Sequence, residues 1–175
     1  KSSLLDVSHP FDGAIYPVAK SPDYTKWEGE YKKVRFEDID EKYLIDLPDY
    51  NIALKEMTKE ELDKDDVAKN AKITYSIVYL GNYSFDHKEE AGSHLAVDIR
   101  VPQGTPVRNI AHGVVTLVKR ISYGYGNHMC ITHSNVADAE DSSKKVTLVA
   151  CYNHMEVIYA EEGDVVYKGQ IIGKS

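Results

Sequence analysis

The amino-acid sequence predicts a mostly β, antiparallel domain of barrel or sandwich type, preceded by an N-terminal extension that contains a short helix. Three observations carry this. From Gly104 onward, short runs rich in β-branched residues alternate with glycine turns, the spacing of an all-β domain. Leu95, Val97, Ile99 and Val101 alternate with His94, Ala96, Asp98 and Arg100, a period of two that marks a half-buried strand. Of the 11 glycines, only Gly13 and Gly29 precede Gly81, so turn chemistry is concentrated in the C-terminal half.

Bulk composition bounds the function. A chain of 175 residues can bury a real core, and 42% hydrophobic with 28% charged residues is ordinary for a soluble protein. A net charge of −7 without a basic run excludes a general nucleic-acid binder. No apolar run approaches the roughly 18 residues of a membrane span. The chain starts at Lys1 without a signal-peptide pattern, as expected of a processed or trimmed product. Thirteen tyrosines against three phenylalanines suit strand positions that are wet at one end.

Residues 1–72 read as the extension. Pro10, Pro17 and Pro22 suggest an extended arm, with Trp27, Tyr31, Val34 and Phe36 as anchors. Thr58 and Glu61 form a capping box that opens a helix over about residues 59–70, with Leu62 and Val67 as its apolar stripe. The charges from Glu60 to Asp66 read as its solvated face. Scaffold is the expected role; a pro-segment, a docking arm or a cover over a site are the alternatives.

Residues 73–175 read as the domain. Ile73–Tyr79 is expected to be a strand, followed by Gly81-Asn82 and a polar loop, Ser84–Ser93. Asp86 and His87 in that loop are candidate extra contacts, and loop polarity explains them equally. His94 and Asp98 read together as metal ligands. A strand rises about 3.3 Å per residue, so a straight one would hold them about 13 Å apart. Metal bonds of about 2.0–2.2 Å cannot close that gap, so joint ligation needs a bend near His94, which Gly92 permits. Taken alone, the pair also fits two solvated bystanders. Further strands are expected at Val107–Ala111, Val114–Val118, His128–His133, Val146–His154, Val165–Tyr167 and Ile171–Gly173, with residues 134–145 a polar loop. Cys130 and Cys151 fall on strands that could pair as a hairpin. Buried free thiols are the expected state, with a disulfide as the alternative.

The ordered landmarks resemble the zinc peptidases of the lysostaphin and LytM type, family M23. They run His94-x-x-x-Asp98, Gly104-Thr105-Pro106-Val107, Ala111-His112-Gly113-Val114-Val115 and Gly124-Tyr125-Gly126-Asn127, then a strand ending in His133. Tyr152-Asn153-His154-Met155 and Gly163-Asp164-x-Val166-x-x-Gly169-Gln170-x-Ile172-Gly173 complete the series. The resemblance covers about residues 73–175 and implies a barrel-sandwich hybrid-like fold. It implies an extracytoplasmic endopeptidase that cuts peptide bonds in peptidoglycan stems or cross-bridges, with Zn2+ as cofactor. By position, His94 and Asp98 match two zinc ligands, and His154 matches a catalytic histidine that steadies the attacking water or the oxyanion. His133 matches a histidine outside the metal shell and reads as structural. His112, His128 and Tyr125 are candidate substrate contacts.

Two departures stand out. The family takes its third ligand from a His-x-His motif in a later strand, and the histidines here (9, 87, 94, 112, 128, 133 and 154) contain no such pair. The domain over 73–175 is therefore read as C-terminally incomplete, ending before that motif; a barrel without that strand would leave an open edge, so another segment or another chain is expected to fill it. Ala96 stands where the family usually has glycine. Two further readings are a catalytically inactive module that binds the wall or activates another hydrolase, and a lipoyl-type carrier domain. The turns at Glu162-Gly163-Asp164 and Lys168-Gly169-Gln170 suggest the carrier; the lack of a Met-Lys pair opposes it.

Overall fold

The structure, a computed structural model, describes residues 13–49, 58, 60, 64–77, 83–85, 88–90, 94–138 and 140–175. In chain order the strands and helix are β1 (Lys20–Pro22), β2 (Leu44–Asp46), α1 (Asp66–Thr74), β3 (Tyr75–Ile77), β4 (Tyr83–Phe85), β5 (Lys88–Glu90) and β6 (Asp98–Ile99). They continue with β7 (Pro106–Arg108), β8 (Gly113–Lys119), β9 (Asn127–Ala137), β10 (Lys145–Met155), β11 (Val157–Ile158), β12 (Val165–Val166) and β13 (Ile171–Lys174). Every pairing between these strands is antiparallel. One sheet has the order β10-β9-β8-β12 and a second β11-β13-β7; β1-β2, β3-β6 and β4-β5 are two-stranded. The protein is mostly β as expected, and among the described residues these sheets do not close into a barrel.

The two larger sheets enclose the main core. Val115, Met129 and Ile131 from β8 and β9 meet Val107, Ile158, Val166 and Ile172. Tyr152 reaches into the same core, and its hydroxyl accepts from the Ile110 amide at 3.0 Å, so the one polar atom of the ring is satisfied. Gly173 is a close-approach glycine: a Cβ there would collide with the Val157 carbonyl oxygen and the Met155 side chain.

Residues 13–49 are built into the body of the protein. The Ile15 amide bonds the Ile110 carbonyl, and the Arg108 amide bonds the Pro17 carbonyl. The buried Arg108 guanidinium donates to the carbonyls of Tyr16 at 2.7 Å and Pro48 at 2.6 Å. A buried charge needs such partners, so Arg108 fastens the stretches around Tyr16 and Pro48 of the N-terminal segment to β7. Tyr16, Val18 and Leu47 form a second core with Ala71 of α1, against which Ile99 and Val101 pack.

Several boundaries differ from the sequence expectation. Strand structure at the alternating stretch is limited to Asp98–Ile99, and Leu95 and Val97 are 76% and 43% exposed. Only Ile99 and Val101 find an apolar surface, because the backbone bends ahead of them. Helix α1 runs through Thr74, past the expected end near residue 70 and into the expected strand. There the Thr74 hydroxyl bonds the Ala71 carbonyl and the Tyr16 hydroxyl, which fixes the last turn to the second core. Strand β9 extends to Ala137, four residues into the expected loop. Glu61, Leu62, Gly81-Asn82, Asp86, His87 and Gly92 lie outside the described residues.

The cysteines are a correction. Cys130 and Cys151 are joined by a disulfide rather than held as free thiols. Their residues are directly opposed across β9 and β10, with Cα atoms 4.1 Å apart. That separation belongs to the narrow class of antiparallel pairs, where facing side chains meet. The bond closes a hairpin with a sequence separation of 21. Reduction is therefore expected to cost about 3 kcal/mol of stability by the loop-closure relation. A urea titration with and without reductant checks this: the midpoint should fall, and an unchanged midpoint would show that the bond constrains nothing.

Candidate metal and catalytic site

His94 Nε2 and Asp98 Oδ1 lie 3.2 Å apart. The chain between them bends at Ala96, so the separation of a straight strand is not realised and the two side chains converge, with His94 before the strand and Asp98 within it as expected. His94 is largely covered, with its side chain 11% exposed, whereas the Asp98 carboxylate is 45% exposed. Two donors on one tetrahedral metal at about 2.1 Å would sit about 3.4 Å from each other. The observed spacing fits such a pair. Among the described residues no group of three His, Cys, Asp or Glu side chains converges, so the residues present supply a partial donor set.

Asp98 is held by its strand. Asp98 pairs with Ile77 and Ile99 with Tyr75, and the Ser76 hydroxyl bonds the Asp98 carbonyl. Just beyond, the Arg100 amide donates to the Thr74 carbonyl at 2.8 Å, and the Tyr24 hydroxyl donates to the Arg100 carbonyl at 2.8 Å. The Arg100 guanidinium lies 4.0 Å over the Tyr24 ring and 5.9 Å from the Tyr31 ring. Cation–π contacts of this kind favour a fixed planar stack. The strand bearing Asp98 is thus clamped from one side by helix α1 and from the other by the N-terminal segment.

His154 lies at the irregular end of β10, between Tyr152 and Met155. Its φ is 56°, in the left-handed region that non-glycine residues rarely enter. Expected on an apolar strand, its side chain is instead exposed. The twist that turns it outward is tied down by neighbours. The His154 amide donates to the Tyr125 carbonyl at 2.9 Å, and Asn127 Nδ2 donates to the Met155 carbonyl at 3.0 Å. Gly126, itself at φ 63°, lies under the imidazole; a Cβ there would come 3.8 Å from His154 Nδ1. A strained residue so firmly over-determined is a mark of functional sites.

The other sequence-derived candidates divide. Tyr125 and His128 join His154: their rings are 5.9 Å apart, and His128 Nδ1 donates to the Gly126 carbonyl at 2.9 Å. His112 stands apart from that group, with its ring 5.2 Å from Tyr167. His133 is 1% exposed, and its Nδ1 donates to the His112 carbonyl at 2.9 Å. Burial pushes the His133 imidazole below the usual histidine range, which favours its neutral form.

His154 opens on a cleft of about 590 Å³ whose lining residues do not include His94 or Asp98. Ile99, the neighbour of Asp98, lines it together with His154, Asn127 and Asn153. Tyr31 and Lys32 line it too, and no periodicity or motif in residues 1–72 announced that; only the reading of Tyr31 as an anchor came near. Glu156, two residues past His154, is held by both Arg35 guanidinium nitrogens at 3.1 and 3.0 Å and by Gln103 at 3.1 Å. The Arg35 hydrogen bonds hold the Glu156 carboxyl below its usual range.

Comparison with known proteins bears on the same residues. Residues 92–175 match the model of peptidase family M23. Over 80 residues the chain is 36% identical to the DD-carboxypeptidase/endopeptidase Mpg of Neisseria meningitidis serogroup B and 35% identical to that of Neisseria gonorrhoeae. Those matches cover 46% of this chain and 16% of the relatives' length. A solved structure from Pseudomonas aeruginosa described as a peptidase M23 is 19% identical, covering 69% of this chain and 50% of that one with a TM-score of 0.36; at that distance it assigns no residue a role.

Proposed function

We propose that the M23 domain at residues 92–175 is the zinc-dependent endopeptidase part of a protein that hydrolyses peptide bonds in peptidoglycan stems or cross-bridges, outside the cytoplasm. The observation that carries this is the His94–Asp98 donor pair at 3.2 Å, one residue from a cleft that His154 lines. The family match supports a peptidase, and among the described residues no helix is long and apolar enough to cross a membrane.

His94 and Asp98 would hold the metal, with a third donor supplied by another segment or another chain. When bound, zinc would lower the pKa of a water molecule and polarise the scissile carbonyl. His154, exposed on its fixed bulge, holds or moves a proton at an imidazole nitrogen beside the developing oxyanion. Tyr125 and His128 shape the approach to that histidine, while the His112 ring lies against Tyr167. Sheet pairing fixes Asp98, and the Tyr125–Asn127 turn fixes His154, so both groups are positioned before substrate arrives.

The test uses the natural full-length protein, purified without chelator. Elemental analysis should find one zinc per chain, and incubation with purified peptidoglycan should release new amino termini that a chelator suppresses. Absence of both zinc and new termini would overturn the reading and favour a wall-binding or activating module.

A further inference from the structure

We propose that Tyr31 and Lys32 form a specificity wall of the His154 cleft, with the Lys32 ammonium receiving a carboxylate of the bound peptide; this deepens the peptidase reading and rests on it. Both residues lie outside the segment that matches the family. Their place is fixed by the clamp on the strand of Asp98. Tyr31 lies 5.9 Å from the Arg100 guanidinium and edge-on to Tyr24, with ring centroids 6.3 Å apart. Arg100 is two residues beyond Asp98, so the wall is registered to the metal-ligand strand rather than hung on a loose tail. Arg35 holds the segment a second time, through Glu156, two residues from His154.

Charge decides what the wall would bind. Among the side chains lining the cleft, Lys32 and Glu156 carry formal charge at neutral pH. Both Glu156 oxygens are already engaged by Arg35, which also holds Glu37 at 2.7 Å, and one of them also by Gln103, so Glu156 is turned to Arg35 rather than to Lys32. Lys32 is exposed, and no described carboxylate pairs with it; its ammonium lies 5.8 Å from the Tyr31 ring centroid. The cleft therefore presents one cation that pairs with no described carboxylate, in a protein of net charge −7. An anionic peptide approaching that surface meets overall repulsion and one local attraction, which favours a peptide whose carboxylate lands on Lys32. The Tyr31 ring beside it supplies an apolar face for the adjoining chain.

The experiment compares two synthetic stem peptides, one with free carboxylates and one with every carboxylate amidated, using the full-length protein. The acidic peptide should have the higher kcat/KM by about tenfold, the effect of one charge-assisted contact. Lys32→Ala should bring the ratio to about one by raising KM for the acidic peptide, Lys32→Glu should invert it, and Lys32→Arg should keep it. An unchanged ratio in Lys32→Ala, or equal losses on both peptides, overturns the proposal. If the protein cleaves neither peptide, calorimetric binding of the same pair separates the two ideas. Acid-selective binding that Lys32→Ala removes upholds the wall while the peptidase reading falls. Unselective binding, or none, overturns the wall.

Discussion

His94→Ala is expected to abolish zinc binding and to lower peptide cleavage on the order of a thousandfold. The size follows from what the ligand supports. A metal centre contributes several kcal/mol of transition-state stabilisation, and each 1.4 kcal/mol is about tenfold in rate. Asp98 would then be left with its carboxylate 45% exposed and its imidazole partner, 3.2 Å away, gone. One carboxylate oxygen and the third donor together do not retain the ion against water. Asp98→Asn should fail in the same way, since the amide keeps the shape and removes the charge that a divalent cation needs. The decisive pair of measurements is zinc stoichiometry and turnover on purified peptidoglycan, with the urea midpoint as a check on folding. Retained zinc in His94→Ala would move the metal site elsewhere in the chain.

Why the convergence of these two side chains could be anticipated from sequence, and other contacts not, has a physical explanation. The ordered landmarks from His94 to Gly173 recur because turns and close approaches permit few alternatives. Gly126 must be glycine-like under His154, and Gly173 must let β11 and β13 approach. Such positions survive in a linear pattern. The bend between His94 and Asp98 was legible only as a condition: both could meet one partner if the chain turned, and it does. Burial was less legible. Leu95 and Val97 carry the alternation of a half-buried strand, yet side-chain period says nothing about whether a partner surface exists on that side. The disulfide failed for a related reason. Opposition of Cys130 and Cys151 depends on strand register, which a sequence fixes only through distant packing. The contribution of residues 24–35 was least legible of all. Tyr24, Tyr31, Lys32 and Arg35 touch the site through contacts with Arg100, Glu156 and the cleft across more than sixty positions of chain, and no local spacing encodes such pairings.

His154→Ala is expected to keep zinc and lose turnover by about a hundred- to ten-thousandfold, the range for a positioned acid or base. The metal is kept because His154 lies on the bulge of β10, away from the strand that carries Asp98. The loss falls on kcat because the imidazole would act on charge that develops only in the transition state. The backbone at φ 56° complicates the simple variant, since alanine in the left-handed region is strained and could shift the loop. His154→Asn removes that ambiguity. Asparagine enters the left-handed region more readily than other non-glycine residues, so the amide bond to the Tyr125 carbonyl should persist. Its side chain cannot take up or release a proton near neutral pH. Both variants should therefore retain one zinc and, for His154→Asn, the native urea midpoint, while cleavage falls together in the two. Wild-type turnover in His154→Asn would remove the histidine from the mechanism. Loss of zinc in both would mean that the imidazole serves the metal centre itself, and the division of roles between His154 and the His94–Asp98 pair would have to be redrawn.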